Sequence, residues 1–97
     1  MNDFDKNIIV LDFSDCKNLG DIHLCLKEKF DLPDFYGENW DALWDSLDDK
    51  FFENGECRVE IHGFWQLEKE LRDCCGAMLE VFEDIHKEYP NVVFKIE

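Results

Sequence analysis

The sequence predicts a small two-layer α/β fold: a three-stranded parallel sheet packed with about four helices, in the order β-α-α-β-α-α-β. Three observations lead there. Short runs rich in β-branched residues lie at residues 8–11, 57–62 and 92–96 of the 97-residue chain. The stretches between them carry apolar residues at helical spacing. The middle run alternates apolar and polar positions, which leaves one sheet face polar and allows helices on the other only. Strands joined by helical crossovers pair in parallel. The whole of residues 1–97 is read as one domain, with no internal repeat or linker.

The first run, Ile8, Ile9, Val10 and Leu11, is unbroken and apolar, so it is expected to be a well-covered strand. Residues 13–17 connect, with Ser14 and Asp15 as turn or cap candidates. Leu19, Ile22, Leu26 and Phe30, with Cys25 beside them, then predict an amphipathic helix over about 18–30. Lys27 and Lys29 suit its C-terminal dipole. Pro33 stops it and holds Leu32 extended. A loop over residues 34–38 presents Phe35 and Tyr36, and Gly37 is expected to turn the backbone tightly into the next helix. Asn39 is a good N-cap for that helix. Trp40, Leu43, Trp44 and Leu47 form its apolar stripe, and the pattern fades by Asp49 and Lys50, leaving 51–55 as a connector.

Cys57, Val59 and Ile61 face one side of the second strand, and Arg58, Glu60 and His62 the other. Gly63 is expected to start a short helix with Phe64, Leu67 and Leu71 inside and a Glu68–Arg72 pair outside. After a break over 73–76, Met78, Val81, Phe82, Ile85 and Tyr89 mark a last helix over about 77–88. Pro90 ends it before the final strand.

Twenty-four acids against ten bases leave a net charge of −14. Such a field repels nucleic acid and anionic membranes and draws basic partners. The five cysteines include no Cys-x-x-Cys and read as reduced core thiols in a reducing compartment. Residues 1–7 are acidic and polar, unlike a signal peptide. No apolar run is long enough to span a membrane. The expected setting is cytoplasmic.

Residues 32–47 are unusual. They hold four acids and no Lys or Arg. On the second helix, Asp41, Asp45 and Asp48 fall at i, i+4, i+7 beside the aromatic stripe. Like charges at i, i+4 destabilise a helix by about 0.2–0.5 kcal/mol per pair. The first-turn dipole excuses Asp41 but not the later two. A local rule broken without compensation points to function. Other chemistries find little support. There is no phosphate-binding glycine loop. His23, His62 and His86 are far apart in sequence and lack zinc-site spacing, so no metal or other cofactor is expected. His23 and His86 read as surface or boundary residues. A Cys–His catalytic pair has no local support. Asp41, Asp45 and Asp48 could together hold Mg2+ in a metal-dependent hydrolase. Alternatively, they could serve an acidic interaction module for a basic protein. Aromatics beside fixed charges are the composition of a binding hot spot.

The segment carrying Leu32-Pro33, Phe35-Tyr36, Gly37, Asn39, Asp41-Ala42-Leu43-Trp44-Asp45 and Leu47 resembles the barstar family of barnase-type ribonuclease inhibitors. Val81-Phe82 on the last helix matches too, and the order of elements agrees over most of the chain. The resemblance implies a non-enzymatic protein, monomeric when free, whose loop and second helix block the active site of a basic secreted ribonuclease or nuclease toxin. It places Asp45 in the enzyme's phosphate site, facing Arg and His groups, and Asp41 against basic groups at the rim. A carboxylate meets a guanidinium fork much as a phosphate does. Phe35 would pack on the catalytic His, Trp44 would support the surface, and Tyr36, Gly37 and Asn39 would shape the loop. Asp48 completes the acidic stripe. An acid on the last helix aligns at Asp84, with Glu80 and Glu83 close by. The chain departs from the family at Phe35, where Tyr is common, at Trp40, where a smaller aliphatic residue is familiar, and over residues 48–52.

Overall fold

The computed structural model describes residues 8–97. The polar segment read above as unlike a signal peptide, residues 1–7, lies outside them. Three strands, β1 (Ile8–Asp12), β2 (Cys57–His62) and β3 (Val92–Ile96), form one parallel sheet in the order β1-β2-β3. Ile9 pairs with Val59 and Val59 with Phe94 across it. Four α-helices, α1 (Leu19–Lys29), α2 (Trp40–Phe51), α3 (Lys69–Cys74) and α4 (Gly76–Glu88), make up the second layer with a 3-10 turn, Phe64–Gln66. Right-handed crossovers that step the same way across a sheet deliver all their helices to one face. The burial pattern agrees: Cys57, Val59 and Ile61 are buried, while Arg58 is exposed and Glu60 and His62 only partly covered.

The core lies between these layers. Leu11, Val59, Ile61 and Val92 from the sheet meet Ile22, Leu26, Phe30, Leu43, Leu47, Met78, Phe82 and Ile85 from the helices, all essentially without solvent contact. Phe82 joins the layers, stacked on Phe94 with ring centroids 4.4 Å apart.

Several expectations need correction. β1 is not well covered: Ile8 and Val10 are 37% and 42% exposed, because no helix among the described residues covers the outer face of the sheet. α2 does not fade at Lys50 but runs through Phe51, whose buried ring lies one turn after Leu47 and extends the same stripe. Gly63 does not open an α-helix. It turns left-handed at φ 78°, and a Cβ there would sit 2.5 Å from the Ser14 nitrogen, so only glycine lets β2 pass the β1 loop. The 3-10 turn follows, and α3 begins only at Lys69. Arg72 donates to the carbonyls of Trp65 and Leu67 rather than pairing with Glu68, and the i, i+4 ion pair of α3 is Lys69–Asp73 at 3.0 Å.

All five cysteines are free. Cys57 and Cys75 are buried, Cys16 and Cys25 half-buried, and Cys74 is exposed, so core packing accounts for only part of the set. Burial pushes the Cys16 and Cys75 thiols up to about 11, which keeps them protonated and unreactive. Among the described residues, no helix is long and apolar enough to cross a membrane.

Candidate protein-binding surface

The surface begins where α1 ends. The Leu32 N–H donates to the Lys27 carbonyl (2.9 Å) and the Asp31 N–H to the Glu28 carbonyl (3.3 Å). Asp31 is left-handed at φ 54°. This is a Schellman end with Asp where Gly is usual. It turns the chain sharply, buries Leu32 and sends the following loop back along α1.

That loop separates its two aromatics. The Tyr36 N–H donates to the Pro33 carbonyl at 2.9 Å, closing a turn. Phe35 points outward, 87% exposed, while Tyr36 is 7% exposed. Beneath Tyr36 lies His23 of α1. The Tyr36 hydroxyl and His23 Nδ1 share a 2.7 Å hydrogen bond, and the His23 ring lies 4.5 Å from that of Trp40. His23 is buried at 3% exposure, which corrects its reading as a surface or boundary histidine. Its position one residue after Ile22 and three before Leu26 places it at the edge of the apolar stripe, a signal that was present in the sequence. Burial holds its basicity below the ordinary histidine value and drives the Tyr36 hydroxyl well above the ordinary tyrosine value. Both groups are therefore neutral near pH 7, as a desolvated hydrogen-bonded pair requires.

Gly37 does not take the left-handed turn expected of it; Glu38 does, at φ 47°. The use of Gly37 is space: a Cβ there would come within 3.2 Å of Asn39 Nδ2, which donates to the Gly37 carbonyl at 3.1 Å. Asn39 Oδ1 accepts the Ala42 N–H at 2.8 Å and caps α2. One side chain thus closes the loop and starts the helix. Replacing such a cap by Ala costs about 0.5–2 kcal/mol.

On α2, Leu43 and Leu47 are buried, Trp40 and Trp44 are half-buried against the core, and Asp41 and Asp45 are exposed. Asp48 differs from them. It is half-buried, and its Oδ1 accepts the Tyr89 hydroxyl at 2.6 Å, which ties α2 to α4. That bond pushes Tyr89 up to about 12. On α4, Glu80, Glu83 and Asp84 are exposed, and only Glu83 has a cation, Lys87, at 3.7 Å. No ion pair among the described residues involves Asp41, Asp45, Glu80 or Asp84. The two helices pack directly on each other.

Asp41, Asp45 and Asp48 do not converge as metal ligands. Among the described residues, the group whose donor atoms gather within 4.8 Å is Glu60, His62 and Glu97, on the sheet. The geometry at α2 is that of an acidic and aromatic surface, with the Asp41 and Asp45 carboxylates exposed.

The sequence model described as Barstar (barnase inhibitor) matches residues 6–97. A Bacillus subtilis (strain 168) protein named "Putative ribonuclease inhibitor YrdF" is 51% identical over 39 residues, covering 40% of this chain and 43% of the relative. The aligned part is thus less than half the length of that relative.

Proposed function

This chain belongs to the barstar family, and from that footing we propose that it is an inhibitor of a basic ribonuclease or related nuclease toxin, acting by occupation of the active site without catalysis of its own. The observation that carries this reading is the pair Asp41 and Asp45: exposed, unpaired by any cation among the described residues, and set on a helix anchored by Leu43 and Leu47. Asp45 enters the phosphate-binding site and accepts from its Arg and His groups. Asp41 engages basic groups at the rim. Phe35 supplies the exposed apolar contact. Trp40 and Trp44 form the shoulders of the surface, and Glu80 and Asp84 extend it across α4. Tyr36, Gly37 and Asn39 hold the loop in shape, and Asp48 acts through its bond to Tyr89. The partner is a secreted enzyme, and the inhibitor is a cytoplasmic monomer that guards the producing cell.

The arrangement suits the task because little must be ordered on binding. The loop is already closed by hydrogen bonds from Asn39 and Tyr36, so the entropy cost of docking is reduced. The net charge of −14 speeds encounter with a cationic enzyme. Titrating a barnase-type ribonuclease with the wild-type protein and with Asp45→Ala tests the reading. Stoichiometric inhibition by the wild type and a large loss of potency in the variant are expected. Equal potency of the two proteins removes Asp45 from the role assigned to it, and absence of inhibition by the wild type at micromolar concentration contradicts the choice of partner.

A further inference from the structure

The outer face of the sheet carries polar chemistry that the proposed inhibitor role does not use. On β2, Glu60 and His62 stand two residues apart and therefore point to the same face. Glu97 follows β3, and its N–H donates to the Ile61 carbonyl at 2.9 Å, which fixes its backbone next to His62. One donor atom from each of the three side chains lies within 4.8 Å of the others. Glu60 and His62 are part-buried, Glu97 is exposed, and Asp12 of β1 flanks His62 in register.

We propose that Glu60, His62 and Glu97 form a binding site for a borderline divalent metal ion, Zn2+ in the first instance. Two geometric facts support it. The first is spacing. Ligands about 2.0–2.2 Å from a tetrahedral ion stand about 3.3–3.6 Å apart. His62 Nε2 and Glu60 Oε1 are 3.3 Å apart as they stand, so they already span one edge of such a tetrahedron. The second is orientation. Arg58 Nε holds the other carboxylate oxygen, Oε2, at 3.2 Å, and thereby turns Oε1 toward the imidazole. An outer partner that fixes a ligand carboxylate in this way is a recurrent feature of metal sites. Glu97 closes the set by a side-chain rotation on the exposed end of the sheet, and water takes the fourth position.

The donor set decides the kind of ion. One imidazole with two carboxylates suits zinc and its neighbours, whereas magnesium demands oxygen ligands in octahedral array. The strongly acidic protein raises the local cation concentration. Bound zinc would pin β2 to the end of β3, on the face opposite the helices. The sequence hid this site because its third member is 35 residues beyond His62, and only the β2–β3 register brings them together.

Calorimetric titration of the reduced, chelator-stripped protein with ZnCl2 at neutral pH is the test, with thermal unfolding read in parallel. One saturable equivalent with low-micromolar affinity is expected, together with a zinc-dependent rise in the wild-type midpoint. His62→Ala and Glu97→Gln should each weaken binding at least tenfold and abolish the rise, whereas MgCl2 should produce neither effect. Cys74→Ser should bind zinc as the wild type does. Glu97→Gln changes an exposed side chain and keeps the test open if His62→Ala fails to fold. Absence of saturable binding, unchanged affinity in both cluster variants, or loss of binding in Cys74→Ser overturns the proposal.

Discussion

On the outer face of the sheet, Glu60 has Arg58 at 3.2 Å and His62 at 3.3 Å; on α2, Asp41 and Asp45 have no cation among the described residues. Both regions are polar, and both sit on regular structure. Glu60 finds its charge partner within the molecule, and Asp41 and Asp45 do not find one among the described residues. Local stability explains the first arrangement but not the second, since unpaired like charges one turn apart slightly weaken a helix. The contrast teaches where to look for a protein partner: at the charges that the fold positions but does not neutralise. It also shows how the cost is met. The opposite side of α2 buries Leu43, Leu47 and Phe51, and one Leu alone contributes about 1.5–3 kcal/mol through burial.

The largest effect should come from removing that anchor. Leu47→Ala leaves a cavity under α2 and should cost about 2–5 kcal/mol of stability in a denaturant titration. Asp45→Ala should leave the unfolding midpoint nearly unchanged, as exposed substitutions usually shift stability by less than about 0.5 kcal/mol. If Asp45→Ala destabilises as much as Leu47→Ala, the division between anchoring and reserved side chains fails.

A smaller effect sharpens the account of the loop. Tyr36→Phe removes the hydroxyl from buried His23 and should cost about 1–3 kcal/mol, because the imidazole nitrogen is left without its partner. The same denaturant titration reads it, and a neutral result would mean that Tyr36 holds the loop by packing alone.

Acid should act on the same pair more gradually. Burial lowers the folded-state pKa of His23 below its ordinary value of 6.5, so the unfolded chain takes up its proton first as pH falls. Its contribution is complete above about 6.5 and is lost as pH drops from there through the lower folded value. Thermal midpoints of the wild type should therefore decline between neutral pH and pH about 5 more steeply than those of His23→Gln. Parallel slopes would assign the decline to the carboxylates instead.

Much of this was legible in the chain. The stripe Trp40, Leu43, Trp44, Leu47 gave α2, Asn39 gave its cap, and the alternation over Cys57–His62 gave a sheet with one open face. The Phe35–Tyr36 pair marked the loop, although nothing in a pair of adjacent aromatics says which ring turns inward. What escaped was set by contacts distant in sequence. Asp31 and Glu38 are left-handed without the glycine that ordinarily signals it; at Asp31 the hydrogen bonds that close the end of α1 impose the turn. His23 is buried because the loop folds back over it, 13 residues later. The β-branched run of β1 reads as fully covered, yet alternate residues face solvent at an uncovered sheet face. Glu97 joins Glu60 and His62 through strand register alone.

The central claim is that the charge left open on α2 belongs to a protein partner, and that the sheet cluster takes no part in that contact. Neutralising one acid in each region, Asp45→Asn and Glu60→Gln, and measuring the affinity of each variant for a barnase-type ribonuclease in chelator tests it most directly. Asp45→Asn should lose about 2–5 kcal/mol of binding, the range for breaking a buried interfacial charge pair, which was established in part on barnase–barstar itself. Glu60→Gln should bind within about twofold of the wild type, since Glu60 stands on the sheet, away from the proposed docking helix, and its half-exposed pair with Arg58 contributes little. Comparable losses in the two variants, or none in Asp45→Asn, would contradict the account.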